Sequence, residues 1–228
     1  MLSVYHIPLF AGLPELILQR IQSELSVKHY GKNDTVIQKD SKGEELLFLL
    51  SGSLQVQDVT RDGHSITIHI IQPGDFFGEL AVIDGGVRST SVSAITPSAV
   101  GALGASFALQ LLYSHPLLAE RMLKQLAFLV RLASQSRAVL AINDTTQRIC
   151  MQLLRFKKTT AGGVEYLEPP PQAVMAGMCN CSRESVSRAI AKLIQDGLVR
   201  KDGKKLLIRD LKGLQLLASH GLTHAIKT

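Results

Sequence analysis

The sequence predicts an α+β protein: an N-terminal antiparallel β-roll of the double-stranded β-helix or jelly-roll type, a long central helix, and a C-terminal helix-turn-helix with a hairpin wing. Three observations carry that expectation. Between 27 and 103 the chain breaks into short β-rich runs punctuated by Gly31, Gly43, Gly52, Asp62-Gly63 and Pro73-Gly74. Between 116 and 142 no Gly or Pro follows Pro116, and apolar residues recur every three or four positions. Beyond Pro171, two short helical stretches flank Asn180 and lead into a basic hairpin.

The first element, 8–25, reads as a short amphipathic helix with Leu13, Leu16, Ile17 and Ile21 on one face. Strands are expected at 34–38, 46–50, 53–59, 65–71, 90–95 and 99–103, with Asp62-Gly63 as a hairpin turn. Strands this short, separated this regularly, suit a small roll or barrel. A brief helix at 106–113 leads into the long one.

The long helix, 116–142, starts at a proline, which suits a first helical turn, and ends at Asn143-Asp144-Thr145, side chains that cap a fresh start. Ala119, Met122, Leu126, Leu129, Ala133, Ser136 and Leu140 form a coiled-coil seam, while Leu123, Val130 and Val139 give a second stripe. At 1.5 Å per residue the helix is roughly 40 Å long. The expectation is a twin helix on the seam and the N-terminal domain on the second stripe, against the alternative of one long core helix in a monomer. After it come a helical stretch at 145–156, a polar loop at 157–163, and a new unit opened by Pro169-Pro170-Pro171. That unit holds helices at 172–178 and 182–195, strands at 198–200 and 206–209 around 201–204, and a terminal helix from 210. The turn between the two helices needs a residue tolerant of positive φ, and Asn180 supplies it.

At 228 residues, with 46% hydrophobic and 19% charged residues, the chain is long enough for two domains and ordinary for a soluble protein. Residues 1–10 carry no Lys or Arg ahead of an apolar run, and no segment reaches the ~18 apolar residues of a membrane span, so no membrane partner and a cytoplasmic location are expected. Cys150, Cys179 and Cys181 are odd in number and are read as reduced thiols. Charge is unevenly spread: residues 1–146 hold 11 Lys+Arg and 13 Asp+Glu, net −2, whereas residues 147–228 hold 14 and 6, net +8. Such asymmetry points to a polyanion partner for the C-terminal part, nucleic acid being the usual one, and double-stranded DNA is the form expected once the helices below are read.

In the helix from Ser182, residues Val186, Ala189, Ile190 and Leu193 fall at helical spacing and face inward, leaving Arg183, Glu184, Ser187 and Arg188 on the opposite face. Ser182 is a good N-cap, so backbone N–H groups and side chains of the first turn can meet phosphates and base edges together. Arg can donate twice to guanine and Glu can accept from cytosine N4. The basic hairpin 200–205, with Lys204 at its turn, would lie beside it on the phosphate backbone. An amphipathic helix whose charges only solvate it is the plainer alternative. The run from Cys181 to Arg188, with Leu193, Gly197-Leu198 and Gly203-Lys204, resembles the winged helix-turn-helix of the CRP/FNR family of bacterial transcription regulators. The resemblance implies that Arg183, Glu184 and Arg188 contact base pairs and that Ser182 contacts phosphate. Gly177 departs from that pattern, and the first helix lacks polar side chains.

A second constellation runs from Gly74 through Gly78-Glu79-Leu80 to Arg88-Ser89. Gly78 lets a ligand approach the backbone, the helical turn begun at Glu79 aims N–H groups at a phosphate, and Arg88 offers a fork of donors. Glu79 can accept from a ribose hydroxyl. A structural Glu–Arg ion pair is the alternative on chemistry alone. The segment is similar to the phosphate-binding cassette of cyclic-nucleotide-binding domains, including the nine-residue Glu-to-Arg spacing found in regulatory subunits of protein kinase A. That resemblance implies that Glu79 holds the ribose, that Arg88 and Ser89 hold the cyclic phosphate, and that cyclic AMP or cyclic GMP is the ligand. It also puts Ala133 and Ser134 where cyclic-AMP receptors usually carry Thr-Ser against the base; Ser134 fits, whereas an alanine cannot hydrogen-bond.

No metal, haem or iron–sulfur cluster is expected. A cluster needs four cysteine ligands, Cys179-x-Cys181 lacks a second pair, and His64 and His69, the candidate haem ligands, lie in strand-like runs. No HExxH, GxSxG or Walker loop occurs, so enzyme chemistry is not expected. The expected organisation is an effector domain at 1–115, a dimerisation helix and hinge at 116–144, and a DNA-binding domain at 145–228. The expected partners are a second copy of the chain and a pseudo-palindromic operator. RNA polymerase would be met through 157–168 if the protein activates. Alternatives are a pocket for another effector such as a cyclic dinucleotide, a pocket with no ligand, and a nucleotide-sensing module that does not bind DNA.

Overall fold

In the computed structural model, which describes residues 2–59 and 65–220, two antiparallel sheets face one another. The Asp62-Gly63 turn and His64 lie outside the described residues. One sheet has the order β1-β8-β3-β6 and the other β2-β7-β4-β5. The strands are β1 Ser26–Tyr30, β2 Thr35–Ile37, β3 Glu45–Ser51, β4 Leu54–Val59, β5 Ser65–Ile71, β6 Phe76–Phe77, β7 Ser91–Ala94 and β8 Ser98–Gly104. β3 reads as an unbroken apolar run because both its faces are covered. Leu47 and Leu49 point between the sheets with Ile37, Leu54, Ile71, Phe77, Val92, Val100 and Ala102. Leu46, Phe48 and Leu50 point the other way, into a helical layer.

That layer is built from two 3₁₀ turns at Val4–His6 and Pro8–Phe10, α1 Glu15–Glu24, α3 Ala105–Ser114 and the start of α4 Pro116–Leu140; α2, Glu79–Asp84, follows β6. Phe10 and Phe48 meet with ring centroids 5.0 Å apart. Several expectations change here. The helix expected at 8–25 is a 3₁₀ turn followed by α1, and Leu16 is 75% exposed while Leu18 packs inward. β1 and β6 were not expected. The former carries Lys28 and His29 on an edge and pairs with β8, and the latter is two residues long, so neither has a period of its own.

The largest correction concerns α4. Leu118, Met122 and Leu126 pack into the helical layer's core, and the Arg121 guanidinium donates to the Leu9 carbonyl at 2.7 Å. Met122 is 4% exposed, whereas Leu123 and Val130 are 65% and 67% exposed. The N-terminal core therefore takes part of the expected seam, and of the stripe assigned to that core Leu123 and Val130 face solvent while Val139 is buried. Adjacent stripes on one helix have the same period, and Leu118, which belongs to neither, decides which of them faces inward.

The chain divides into two compact units, one comprising the chain through Asp58 and residues 68–131, the other the segment around Val59–Thr67 and the chain from Leu132. The second contains α5 Thr145–Leu154, β9 Lys157–Thr159, β10 Glu165–Leu167, α6 Gln172–Cys179, α7 Arg183–Gln195, β11 Val199–Asp202, β12 Lys205–Ile208 and α8 Leu211–His220. Its sheet has the order β11-β12-β10-β9. The stretch expected as a polar loop at 157–163 begins with β9, which pairs with β10. Lys157–Glu165 and Lys158–Glu168 ion pairs cross that hairpin at 2.7 Å each. No helix is long and apolar enough to cross a membrane among the described residues.

Candidate effector pocket and nucleic-acid interface

Gly78 is the residue on which the first site turns. Its φ of 77° is left-handed, and a Cβ there would stand 2.3 Å from Arg88 Nη1, so any side chain would be both strained and in collision. Arg88 Nη1 donates to the Gly78 carbonyl at 2.7 Å and Nη2 to the Glu45 carbonyl at 2.8 Å. The backbone of Arg88 is held as well, its N–H donating to Ser41 O and its carbonyl accepting from Asp40 N–H. The guanidinium is thus fixed at both ends. Two of its five donors are engaged by carbonyls among the described residues, and no carboxylate lies within ion-pair distance.

Glu79 and Arg88 are each 6% exposed. Burial raises the Glu79 carboxyl above the usual carboxylate range, against the pull of its own backbone N–H and of the Arg88 charge. Burial also lowers Arg88 from its ordinary value, against the charges of Glu45 and Glu79. The Glu79 carboxylate makes no side-chain hydrogen bond with any described residue. Glu79 and Arg88 thus make no direct ion pair among the described residues, though each feels the charge of the other. Leu80 and Ser89 are exposed beside them. Ser134 is exposed on α4 within the second compact unit.

Sequence reasoning missed the carbonyl of Glu45 and the 40–42 backbone as the frame of Arg88, because main-chain acceptors leave no side-chain signal. His69 is half-buried, its ring edge-on to Phe128 at 6.2 Å. No group of three or more His, Cys, Asp or Glu able to hold a metal occurs among the described residues. Burial pushes the Cys150 and Cys179 thiols up to about 12, so neither is a thiolate at neutral pH.

The second site is the turn from α6 into α7. Asn180 has φ 45°, and its N–H donates back to the carbonyls of Ala176 and Gly177, ending α6 in one residue. Ser182 then caps α7, its Oγ accepting from Ser185 N–H at 3.1 Å. Val186, Ala189 and Leu193 are buried, and Ser182, Arg183, Glu184, Ser187 and Arg188 are exposed on one face. Ile190, expected inward, is half-buried. Hydrogen bonds from its own backbone and Ser182, then the charges of Arg183 and Arg188, hold the Glu184 carboxyl below its ordinary range. Lys204 is exposed at the tip of the β11–β12 hairpin, next to Gly203 with φ 57°.

Arg148 is a further residue that the sequence reading passed over. From the first turns of α5 it donates to the carbonyls of Ile142, Asn143 and Cys179 and to Thr145 Oγ1. The end of α4, the cap of α5 and the last carbonyl of α6 are thereby tied to one guanidinium. An arginine near a helix N-terminus, where the dipole disfavours a cation, is the signal that marked it.

Residues 27–115 match the cyclic nucleotide-binding domain model and residues 147–217 the Crp-like helix-turn-helix domain model. The chain is 27% identical over 210 residues to a CRP-like cAMP-activated global transcriptional regulator of Mycobacterium tuberculosis, covering 90% of this chain and 94% of that one. It is 26% identical to a cyclic AMP receptor protein of Thermus thermophilus, over 92% and 96% of the two chains. Among solved structures, FixK2 from Bradyrhizobium japonicum superposes with a TM-score of 0.73 at 20% identity, covering 85% of this chain and 96% of that chain. With a cyclic nucleotide-binding roll followed by a Crp-like helix-turn-helix, and relatives that are regulators rather than enzymes, the chain belongs to the CRP/FNR family of DNA-binding transcription regulators.

Proposed function

We propose that this regulator is controlled by a cyclic nucleotide bound at Gly78, Glu79, Leu80, Arg88 and Ser89, with Ser134 against the base, and that it acts as a homodimer on a pseudo-palindromic operator. The observation that carries the reading is the pair of buried, oppositely charged groups at Glu79 and Arg88, each with spare hydrogen-bonding capacity. A cyclic phosphate would give Arg88 an anion beside its two carbonyl partners, and a ribose 2′-hydroxyl would give Glu79 a donor beside its own backbone N–H. The charge of the ligand follows from the same groups: a monoanion suits one guanidinium.

DNA contact is assigned to Ser182, Arg183, Glu184, Ser187 and Arg188, with Lys204 on the phosphate backbone. Two recognition helices related by a two-fold axis would enter major grooves roughly 34 Å apart. An effector domain at 1–115, a dimerisation helix and hinge at 116–144 and a DNA-binding domain at 145–228 divide the labour, in a cytoplasmic protein. The β9–β10 hairpin is the surface assigned to RNA polymerase if the protein activates transcription.

A calorimetric titration of the full chain with cyclic AMP, cyclic GMP and a cyclic dinucleotide tests the effector. The expected outcome is saturable binding of a cyclic mononucleotide that Glu79→Gln weakens by about tenfold, the worth of one charge-assisted hydrogen bond of roughly 1.5 kcal/mol or more. Binding of the dinucleotide alone would replace the ligand, and identical affinity in Glu79→Gln would overturn the assignment of the carboxylate.

A further inference from the structure

The strand orders β1-β8-β3-β6 and β2-β7-β4-β5 leave the roll with two seams. At one, β6 and β5 are the edge strands, and Gly78-Glu79-Leu80 follows directly from β6. At the other, β1 and β2 are the edges. A polar cavity of about 160 Å³ opens there, lined by Lys28 and Tyr30 of β1, Gln38, Lys42, Glu45 and, from its inner end, Arg88. Gly78, Glu79, Leu80 and Ser89 are not among its walls, so it is separate from the nucleotide cassette and shares with it only the guanidinium.

The walls carry three cations, Lys28, Lys42 and Arg88, against one carboxylate, Glu45. Lys28 faces Glu45 at 3.7 Å, which balances one lysine with the carboxylate. Lys42 has no ion-pair partner among the described residues, and the side chains of Tyr30 and Gln38 make no hydrogen bond among them. Arg88 brings a third cation to the same walls, two of its donors held by the Gly78 and Glu45 carbonyls and its charge opposed by Glu45 and Glu79. Donors and surplus cations converging on a small concave space are the requirement for binding an oxyanion. A water occupies roughly 30 Å³ of liquid, so the cavity holds a small tetrahedral anion with part of its hydration shell.

We propose that the β1/β2 seam is a second effector site, for a phosphate-type oxyanion, either inorganic phosphate or the phosphoryl group of a small metabolite, held by Lys42, Arg88, Lys28, Tyr30 and Gln38. An anion there draws the spare Arg88 donors toward the seam and offsets the charge that the cassette presents to a cyclic phosphate. The two ligands therefore oppose each other. The opposition rests on the cassette reading above, whereas the anion site itself does not.

The test is a calorimetric titration of the full chain with inorganic phosphate, at ionic strength held constant with chloride. Saturable binding is expected in the native protein and in Glu79→Gln, with at least about tenfold weakening in the double variant Lys28→Ala/Lys42→Ala, whose circular dichroism reports that it is folded. Glycerol phosphate that competes with the ion assigns the site to a phosphorylated metabolite, and absence of competition assigns it to the free ion; either result supports the site. Saturating phosphate is expected to weaken cyclic-nucleotide binding by about fivefold in the native protein and not in the double variant. Absence of phosphate binding, equal binding by the double variant, or nucleotide affinity unmoved by saturating phosphate each overturns the proposal. Failure of the cassette reading is recognised separately, as nucleotide binding that Glu79→Gln leaves unchanged.

Discussion

Glu79 is a buried carboxyl whose proton equilibrium is tied both to folding and to its ligand. Its folded value lies above the ordinary one because burial outweighs the Arg88 charge and the backbone hydrogen bond. The ligand-free protein thus binds more protons at this position than the unfolded chain does between the two values. Stability from Glu79 is greatest below the ordinary glutamate range and falls as pH rises through the raised value. In the proposed complex a ligand hydroxyl would reverse the sense, because it would donate to the ionised carboxylate. Affinity for the cyclic nucleotide is expected to increase as pH rises through the raised Glu79 value, and Glu79→Gln to flatten that dependence; calorimetry at a series of pH values in wild type and variant measures both. The types of these two residues were legible in the sequence, since Gly78, Glu79 and Arg88 stand at a spacing that chemistry can interpret. Their mutual geometry was not legible, because Arg88 is oriented by the carbonyls of Gly78 and Glu45, which any residue at those positions would supply.

At the scale of elements, periodicity identified α4 and α7 to within a few residues but failed where an element owes its existence to a neighbour. β1 and β9 carry charged residues with no alternation to read, and pairing with β8 and β10 is what makes them strands. α4 shows the complementary limit: two stripes were visible, and only contact with Leu118, Met122 and Leu126 settles which of them the N-terminal core covers. The exposed stripe through Leu123, Ala127, Val130 and Ser134 recurs at spacings of four and three, so it is the surface we assign to a second copy of the helix. Replacing Leu123 and Val130 together with Glu is expected to shift the protein from dimer to monomer in sedimentation equilibrium with its folded circular dichroism retained. Met122→Ala is expected to do the opposite, lowering stability by about 2–5 kcal/mol in denaturant titration while the oligomeric state is kept. A monomeric Met122→Ala alongside a dimeric Leu123→Glu/Val130→Glu would return the interface to the seam first read from the sequence.

Over the whole molecule, charge separates the two functions. The first 146 residues are net −2 and the remainder net +8, and the exposed cations of the second compact unit include those of α7 and the β11–β12 hairpin. The acidic half has one buried, fixed guanidinium suited to a single small anion, whereas the basic half has many exposed cations suited to a polymer of phosphates. The difference predicts how binding responds to salt. Nucleotide binding at a buried group is weakly screened, while each phosphate contact on duplex DNA releases a counterion and adds about 0.9 to the slope of log affinity against log salt. Within the DNA-binding unit the same distinction separates Lys204 from Arg183. Lys204 stands on the hairpin tip, the position we assign to phosphate, and Arg183 stands in the first turn of α7 beside Glu184. Lys204→Ala is therefore expected to weaken binding to all operator sequences alike and to reduce the salt slope by about one per protomer. Arg183→Ala is expected to cost roughly 1–3 kcal/mol on the preferred operator and to relax the choice at one base pair of each half-site. Binding-site selection followed by salt titration of fluorescence anisotropy measures both quantities. A sequence preference unchanged in Arg183→Ala, or a base preference lost in Lys204→Ala, would exchange the roles of helix and wing.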